Sequence, residues 1–168
     1  HYNSDRYGLA LDRNVVEQNF NPEVGFMRRS DFRRSFAEVR LSPRPRNHPY
    51  VRRLTYRAAI DYITNNQNVL ESRKAQGTFR TDFHSSDSLA LEYSREFELL
   101  PGPFQIAQGV RIPVGGYAFQ NTRVAYTAGA QRRLSGTSSF EIGSFYSGDR
   151  KAAEYRGRAA VVYGHTPV

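Results

Sequence analysis

Apolar and polar residues alternate along most of the chain. From Leu54 to Tyr62 the even positions are Leu54, Tyr56, Ala58, Ile60 and Tyr62, while Arg53, Thr55, Arg57 and Asp61 stand at odd ones. Side chains that repeat every second residue share one face of a β-strand, so this stretch predicts a strand with one apolar and one wet face. The template recurs at Tyr7, Leu9 and Leu11, and at Ser35, Ala37, Val39 and Leu41 against Arg34, Glu38 and Arg40. It recurs again at Ala75, Gly77, Phe79, Thr81 and Phe83 against Lys74, Gln76, Arg80 and Asp82. Further repeats fall at Leu89, Leu91 and Tyr93, at Val124, Tyr126 and Ala128, at Leu134, Phe140 and Ile142, and at Ala153, Tyr155, Ala159, Val161 and Tyr163. No window of helical periodicity competes. The expectation is an all-β chain, an antiparallel up-and-down meander of about eight strands.

The connections alternate in length. Short polar turns are expected at Asn3-Ser4-Asp5, Ser42 to Pro49, His84 to Asp87 and Gly129 to Arg133. Longer loops are expected at the opposite end, from about Glu17 to Phe32 and from about Leu99 to Gly116, beside short connections at Asn65 to Asn68 and Ser147 to Arg150. The second long loop mixes Pro101, Pro103 and Pro113 with Phe104, Ile106, Val110 and Ile112, which predicts an ordered lid folded over a surface. Brief turns at one end and longer loops at the other are the plan of an outer-membrane barrel, although soluble meanders tolerate it. No composition break divides the chain, so residues 1–168 read as one segment.

Average composition points elsewhere until it is split by strand parity. The chain has 168 residues, 24 Lys+Arg against 16 Asp+Glu and a net charge of +8; its mean hydropathy is -0.66. Its longest apolar run, Ala159 to Tyr163, is far short of the ~20 residues of a membrane-spanning helix. A transmembrane strand remains open, because only every second residue faces lipid. The polar face collects Arg34, Glu38, Arg40, Arg53, Arg57, Asp61, Arg80, Glu92, Arg123, Glu141, Glu154, Arg156 and Arg158, together with Lys74, Asp82 and Glu96. Arg forms forked, ordered pairs with carboxylates and suits a confined polar interior, so the first thirteen are the expected lining of a lumen. The other face is light, and its Tyr56, Tyr62, Tyr93, Tyr126, Tyr155 and Tyr163 suit an aromatic girdle at headgroup level. These features describe part of a transmembrane β-barrel, or a small one. A soluble basic β-sheet module that binds an acidic polymer, nucleic acid or polysaccharide, shares the same alternation and stays open as the alternative.

Several strings carry a resemblance: YNSDRYGLALD from Tyr2, FNPEVGFMRR from Phe20, DFRRSF from Asp31 and LSPRPR from Leu41. LLPGPFQIAQGV from Leu99, IPVGGYAF from Ile112 and GAQRRLSG from Gly129 extend it over nearly the whole chain. The chain resembles the C-terminal barrel of a family of bacterial outer-membrane proteins of unknown function, whose N-terminal domain is similar to carbohydrate-binding modules of family nine. The resemblance implies a barrel segment in the bacterial outer membrane, with the lipid bilayer, lipopolysaccharide and a periplasmic domain of the same parent protein as partners. The chain begins at His1 and ends at Pro167-Val168 without a terminal aromatic, which reads as a fragment of a larger barrel. No carbohydrate ligand transfers to any residue, because the binding module is the part not represented.

Residues for chemistry are scarce. Without Cys there is no disulfide, thiolate metal site or Cys nucleophile. His1, His48, His84 and His165 lie at or beside turns with no HxxxH or HxH spacing, so they read as turn residues, and no catalytic, metal or cofactor site is expected. Glu96 and Glu98 sit among Arg residues that keep them ionised. Basic runs such as Arg28-Arg29, Arg33-Arg34 and Arg132-Arg133 suit lipid or lipopolysaccharide phosphates, and nucleic acid is not expected. Phe20, Asn21, Glu23 and Phe26 form the densest loop motif. Asn-Pro and Val-Gly set turns there, and the four are the expected loop contacts at the mouth of a pore.

Overall fold

A computed structural model of the protein describes residues 1–17, 31–107, 109–146 and 148–159. In chain order the strands are β1 (Tyr2–Asn3), β2 (Tyr7–Val16), β3 (Phe32–Leu41), β4 (Val51–Asn65), β5 (Leu70–Phe83) and β6 (Ser88–Leu100). β7 (Phe104–Ala107), β8 (Val110–Ile112), β9 (Gly115–Ala128), β10 (Leu134–Phe145) and β11 (Gly148–Ala159) complete them. Nine strands form one antiparallel sheet in the order β1-β2-β3-β4-β5-β6-β9-β10-β11, and β7 pairs only with β8. The chain is an all-β, up-and-down meander, and no helix occurs among the described residues. β1 and β11 are the edges and do not pair with each other.

Every alternating stretch is a strand, and most run further than the alternation. Strand pairing continues past the last apolar residue, as where Arg73 pairs with Tyr62 and Phe97. The expected lid from Leu99 to Gly116 is a separate hairpin, β7–β8, whose Gln105 pairs with Arg111. Its Pro and Gly residues break the period that reveals the longer strands. The connection expected from Ser147 to Arg150 is shorter, because β11 already begins at Gly148 opposite Phe145. Val161 and Tyr163, expected in the last strand, lie outside the described residues.

Register makes the two faces explicit, since directly paired residues share a face. One row across eight strands reads Tyr7, Leu41, Tyr56, Phe79, Leu91, Val124, Phe140 and Ala153. The neighbouring row reads Gly8, Arg40, Arg57, Thr78, Glu92, Arg123, Glu141 and Ala152. The first has no charge and the second carries five. The strands are also staggered. Leu41, the end of β3, is level with Phe79, while β5 continues to Phe83. A progressive offset of this kind is what tilted strands require.

Large apolar side chains are exposed while several polar ones are buried. Among the described residues only Val16 and Ile112 are buried hydrophobics, whereas Ser42, Thr81, Asp82, Asp87, Ser88, Ser94 and Ser135 are buried polar ones. Ile60 is 42% and Phe140 51% exposed, against 3% for Asp82. Each large apolar side chain left in water forgoes about 1.5–3 kcal/mol of burial. An apolar row repeated over eight strands is therefore a surface built to be covered.

Candidate functional site

The charged face is held together by polar pairs, most of which cross from strand to strand. Arg34 on β3 forks onto Asp61 on β4, with Nε 2.9 Å from Oδ1 and Nη2 2.6 Å from Oδ2. Arg57 stands 3.5 Å from Glu38, and Lys74 2.6 Å from Glu96. Asp82, almost fully buried, takes Arg53 at 2.7 Å and Arg80 at 2.8 Å. Further along, Gln76 donates to Glu92 at 2.6 Å, Asn121 to Glu141 at 3.1 Å, and Arg123 to the Ser139 hydroxyl at 3.2 Å. Arg150 lies 3.5 Å from Glu141, and Arg156 2.8 Å from Glu154. All thirteen residues expected on the polar face share one side of the sheet.

Two of the thirteen serve the short-turn rim. Arg40 donates to the Ser42 hydroxyl at 2.7 Å, the Asn3 side chain at 2.7 Å and the Asp5 carbonyl at 3.2 Å, which ties the β1–β2 turn to β3. Arg158 donates to the Ser135 hydroxyl at 3.2 Å and the Ala130 carbonyl at 3.3 Å. Phe20, Asn21, Glu23 and Phe26, expected at the mouth, lie outside the described residues.

A second well-connected polar residue is one that alternation does not single out. Asp87, in the β5–β6 turn, is buried and accepts from the Gly129 amide at 2.8 Å, Arg132 Nε at 2.9 Å, the Ser85 hydroxyl at 2.9 Å and the Tyr126 hydroxyl at 3.0 Å. Arg132 Nη2 adds a second contact. Its hydrogen bond from Arg132, then that from Gly129, holds the Asp87 carboxyl well below the usual carboxylate range. Asp87 thereby locks the β5–β6 turn to the β9–β10 turn. Its only sequence signal is an Asp in a turn, because its main partners lie more than forty residues away.

No family model matches the chain, and neither a curated protein nor a solved structure matches it.

His48 Nδ1 accepts from the Tyr50 and Val51 amides, and His84 Nε2 lies 3.2 Å from the His48 carbonyl, so both histidines organise the β3–β4 connection. Among the described residues no three His, Cys, Asp or Glu converge to hold a metal. A polar hollow of about 220 Å³ lies between Ser94, Glu96, Asn121, Glu141 and Tyr146. On the opposite face a shallow groove of about 430 Å³ passes over Gly77 between Tyr56, Phe79 and Tyr93.

Proposed function

We propose that the chain is part of the wall of a bacterial outer-membrane β-barrel, with the apolar face against lipid and the charged face lining a lumen. The observation that carries this reading is the placement of an uncharged, largely exposed row one residue away from a row that carries five charges, over eight strands. In water that arrangement leaves the larger apolar residues uncovered; in a bilayer it satisfies both faces. The resemblance at Phe20 to Arg29 and Asp31 to Phe36 supports the same assignment. The segment acts as anchor or conduit for a periplasmic domain of the parent protein, similar to a carbohydrate-binding module, and performs no reaction of its own. Its mechanism is passive. Arg34, Arg57, Arg80, Arg123 and the carboxylates between them set the field that a solute meets, and the loops set the width of the mouth. Lipid and lipopolysaccharide are the expected neighbours of the apolar face.

The test is refolding of the full chain from urea into phospholipid vesicles, read by protease protection. Protection is expected for the natural sequence. Ile60→Arg, near the middle of the apolar face, should lower folded stability by about 2–4 kcal/mol. A chain that stays monomeric in plain buffer and binds oligonucleotide or acidic polysaccharide with steep salt dependence would instead be a soluble polyanion-binding module.

A further inference from the structure

Toward the long-loop side the apolar face carries an oblique line of cations, beside a further one, Arg13 on β2, that lies level with Arg73 through Ser35 and Tyr62. Arg33 on β3, Arg73 on β5, Arg95 on β6 and Lys151 on β11 share that face by register, through Arg33↔Thr64, Arg73↔Tyr62, Arg95↔Ala75 and Lys151↔Ile142. None of the four pairs with a carboxylate among the described residues; on the polar face Arg34, Arg53, Arg57, Lys74, Arg80, Arg150 and Arg156 do, while Arg40, Arg123 and Arg158 take neutral partners. Arg33 donates only to the neutral side chains of Asn66 and Asn68, at 3.1 and 3.0 Å.

The line is oblique to the hydrogen-bonded rows, and its slope is informative. The row through Lys151 crosses Ile142 and Thr122 and meets β6 at Tyr93, four residues from Phe97, the partner of Arg73. Arg95 lies between those two positions. From β5 to β11 are four strand steps, about 19 Å across for about 14 Å along, an angle of about 35°. Strands in outer-membrane barrels tilt by about 35–45°, so a line at this slope runs level with the membrane plane. The short-turn rim descends in the same sense, from Leu41 level with Phe79 to the end of β5 at Phe83. The two acids on this face beside the line, Glu71 and Asp149, each stand two residues beyond a cation, toward the loops.

We propose that Arg33, Arg73, Arg95 and Lys151 form a girdle that binds the phosphates of an outer-leaflet glycolipid, which places the long-loop end at the cell exterior. The proposal rests on the barrel-wall reading. Phosphate supplies the anion that the unpaired cations lack, and a planar leaflet explains why they align at one level. Tyr62, paired with Arg73, and Tyr93, on the Lys151 row, stand where phenols meet the headgroup boundary.

The experiment uses the full chain in phosphatidylcholine vesicles with and without diphosphorylated lipid A, comparing the natural sequence with Arg33→Gln, Arg73→Gln, Arg95→Gln and Lys151→Gln combined. Both chains should insert into neutral vesicles. Apparent affinity for lipid A should fall about tenfold or more in the combined variant, since each cation near an anionic surface contributes several-fold. Replacing the three arginines by Lys should preserve most of it. Equal lipid A binding by the Gln variant overturns the girdle. Equal stabilisation by free inorganic phosphate overturns its lipid assignment. Failure of the natural chain to enter any vesicle overturns the barrel-wall reading and the girdle together.

Discussion

Thr78 and Phe79 are neighbours in β5 and inhabit opposite worlds. Thr78 stands in a row between Arg57 and Glu92. Phe79 stands between Tyr56 and Leu91, its ring 5.0 Å from that of Tyr56. The same contrast repeats on each long strand, and the two faces use opposite rules. On one, charged groups are held by ion pairs and hydrogen bonds, many of them between neighbouring strands. On the other, apolar groups of modest size form a largely exposed surface, with no second layer against it among the described residues. A soluble sandwich reverses this, enclosing its apolar face and leaving its polar face to water. Strand parity separates two surfaces that overall hydropathy averages away.

The comparison breaks hardest at Phe79. Phe79→Arg puts a charge into the apolar row and should cost about 2–4 kcal/mol of folded stability in vesicles, measured by urea titration of protease protection. Asp82→Asn acts on the other face, leaving Arg53 and Arg80 without their shared carboxylate. Because both arginines are partly solvated, the loss should be about 1–2 kcal/mol, visible as a lower urea midpoint. Thr78→Arg, beside Glu92, adds the same charge as Phe79→Arg to the tolerant face and should change stability by less than about 1 kcal/mol.

The Asp87 lock sharpens the comparison at its edge, outside both rows. Its folded-state carboxyl titrates below its unfolded-state value, so acidification protonates the unfolded chain first. Its stabilising contribution is complete above about pH 4 and is lost progressively as the pH falls below that. Arg132→Gln should lessen that acid sensitivity, read as a smaller difference between urea midpoints at pH 3 and pH 7. The effect should be the smallest of the series, because the lock ties two turns and leaves every strand pair intact.

Much of the fold is legible because alternation is a local signal with a strict period. Leu54 to Tyr62 reveals both a strand and its two faces, and keeping like faces together restricts the cross-strand register to even shifts. The unmatched parts depend on information that the period does not carry. The hairpin of β7 and β8 is hidden among Pro and Gly, and the two residues of β1 are too few to show a period. The register shift between Val51 and Arg53 leaves the alternation from Leu54 onward unaltered. The polar-face residues were legible as a set, since parity alone groups them. Their partners were not: which carboxylate Arg34 or Arg80 takes depends on register and side-chain reach, and Asp87 meets Arg132 only through the folding of two distant turns. The cation line needed the stagger of the strands, which no single stretch of sequence contains.

The absence of Cys allows a direct test of the central claim, because single cysteines from Ala75 to Arg80 can each carry a nitroxide label without competition. In vesicles, collision of the label with oxygen dissolved in lipid and with a water-soluble nickel complex reports what each position faces. The account predicts a period of two, with positions 75, 77 and 79 accessible to oxygen and positions 76, 78 and 80 to the nickel complex. The reverse phase, or equal access to the nickel complex at all six positions, would contradict it.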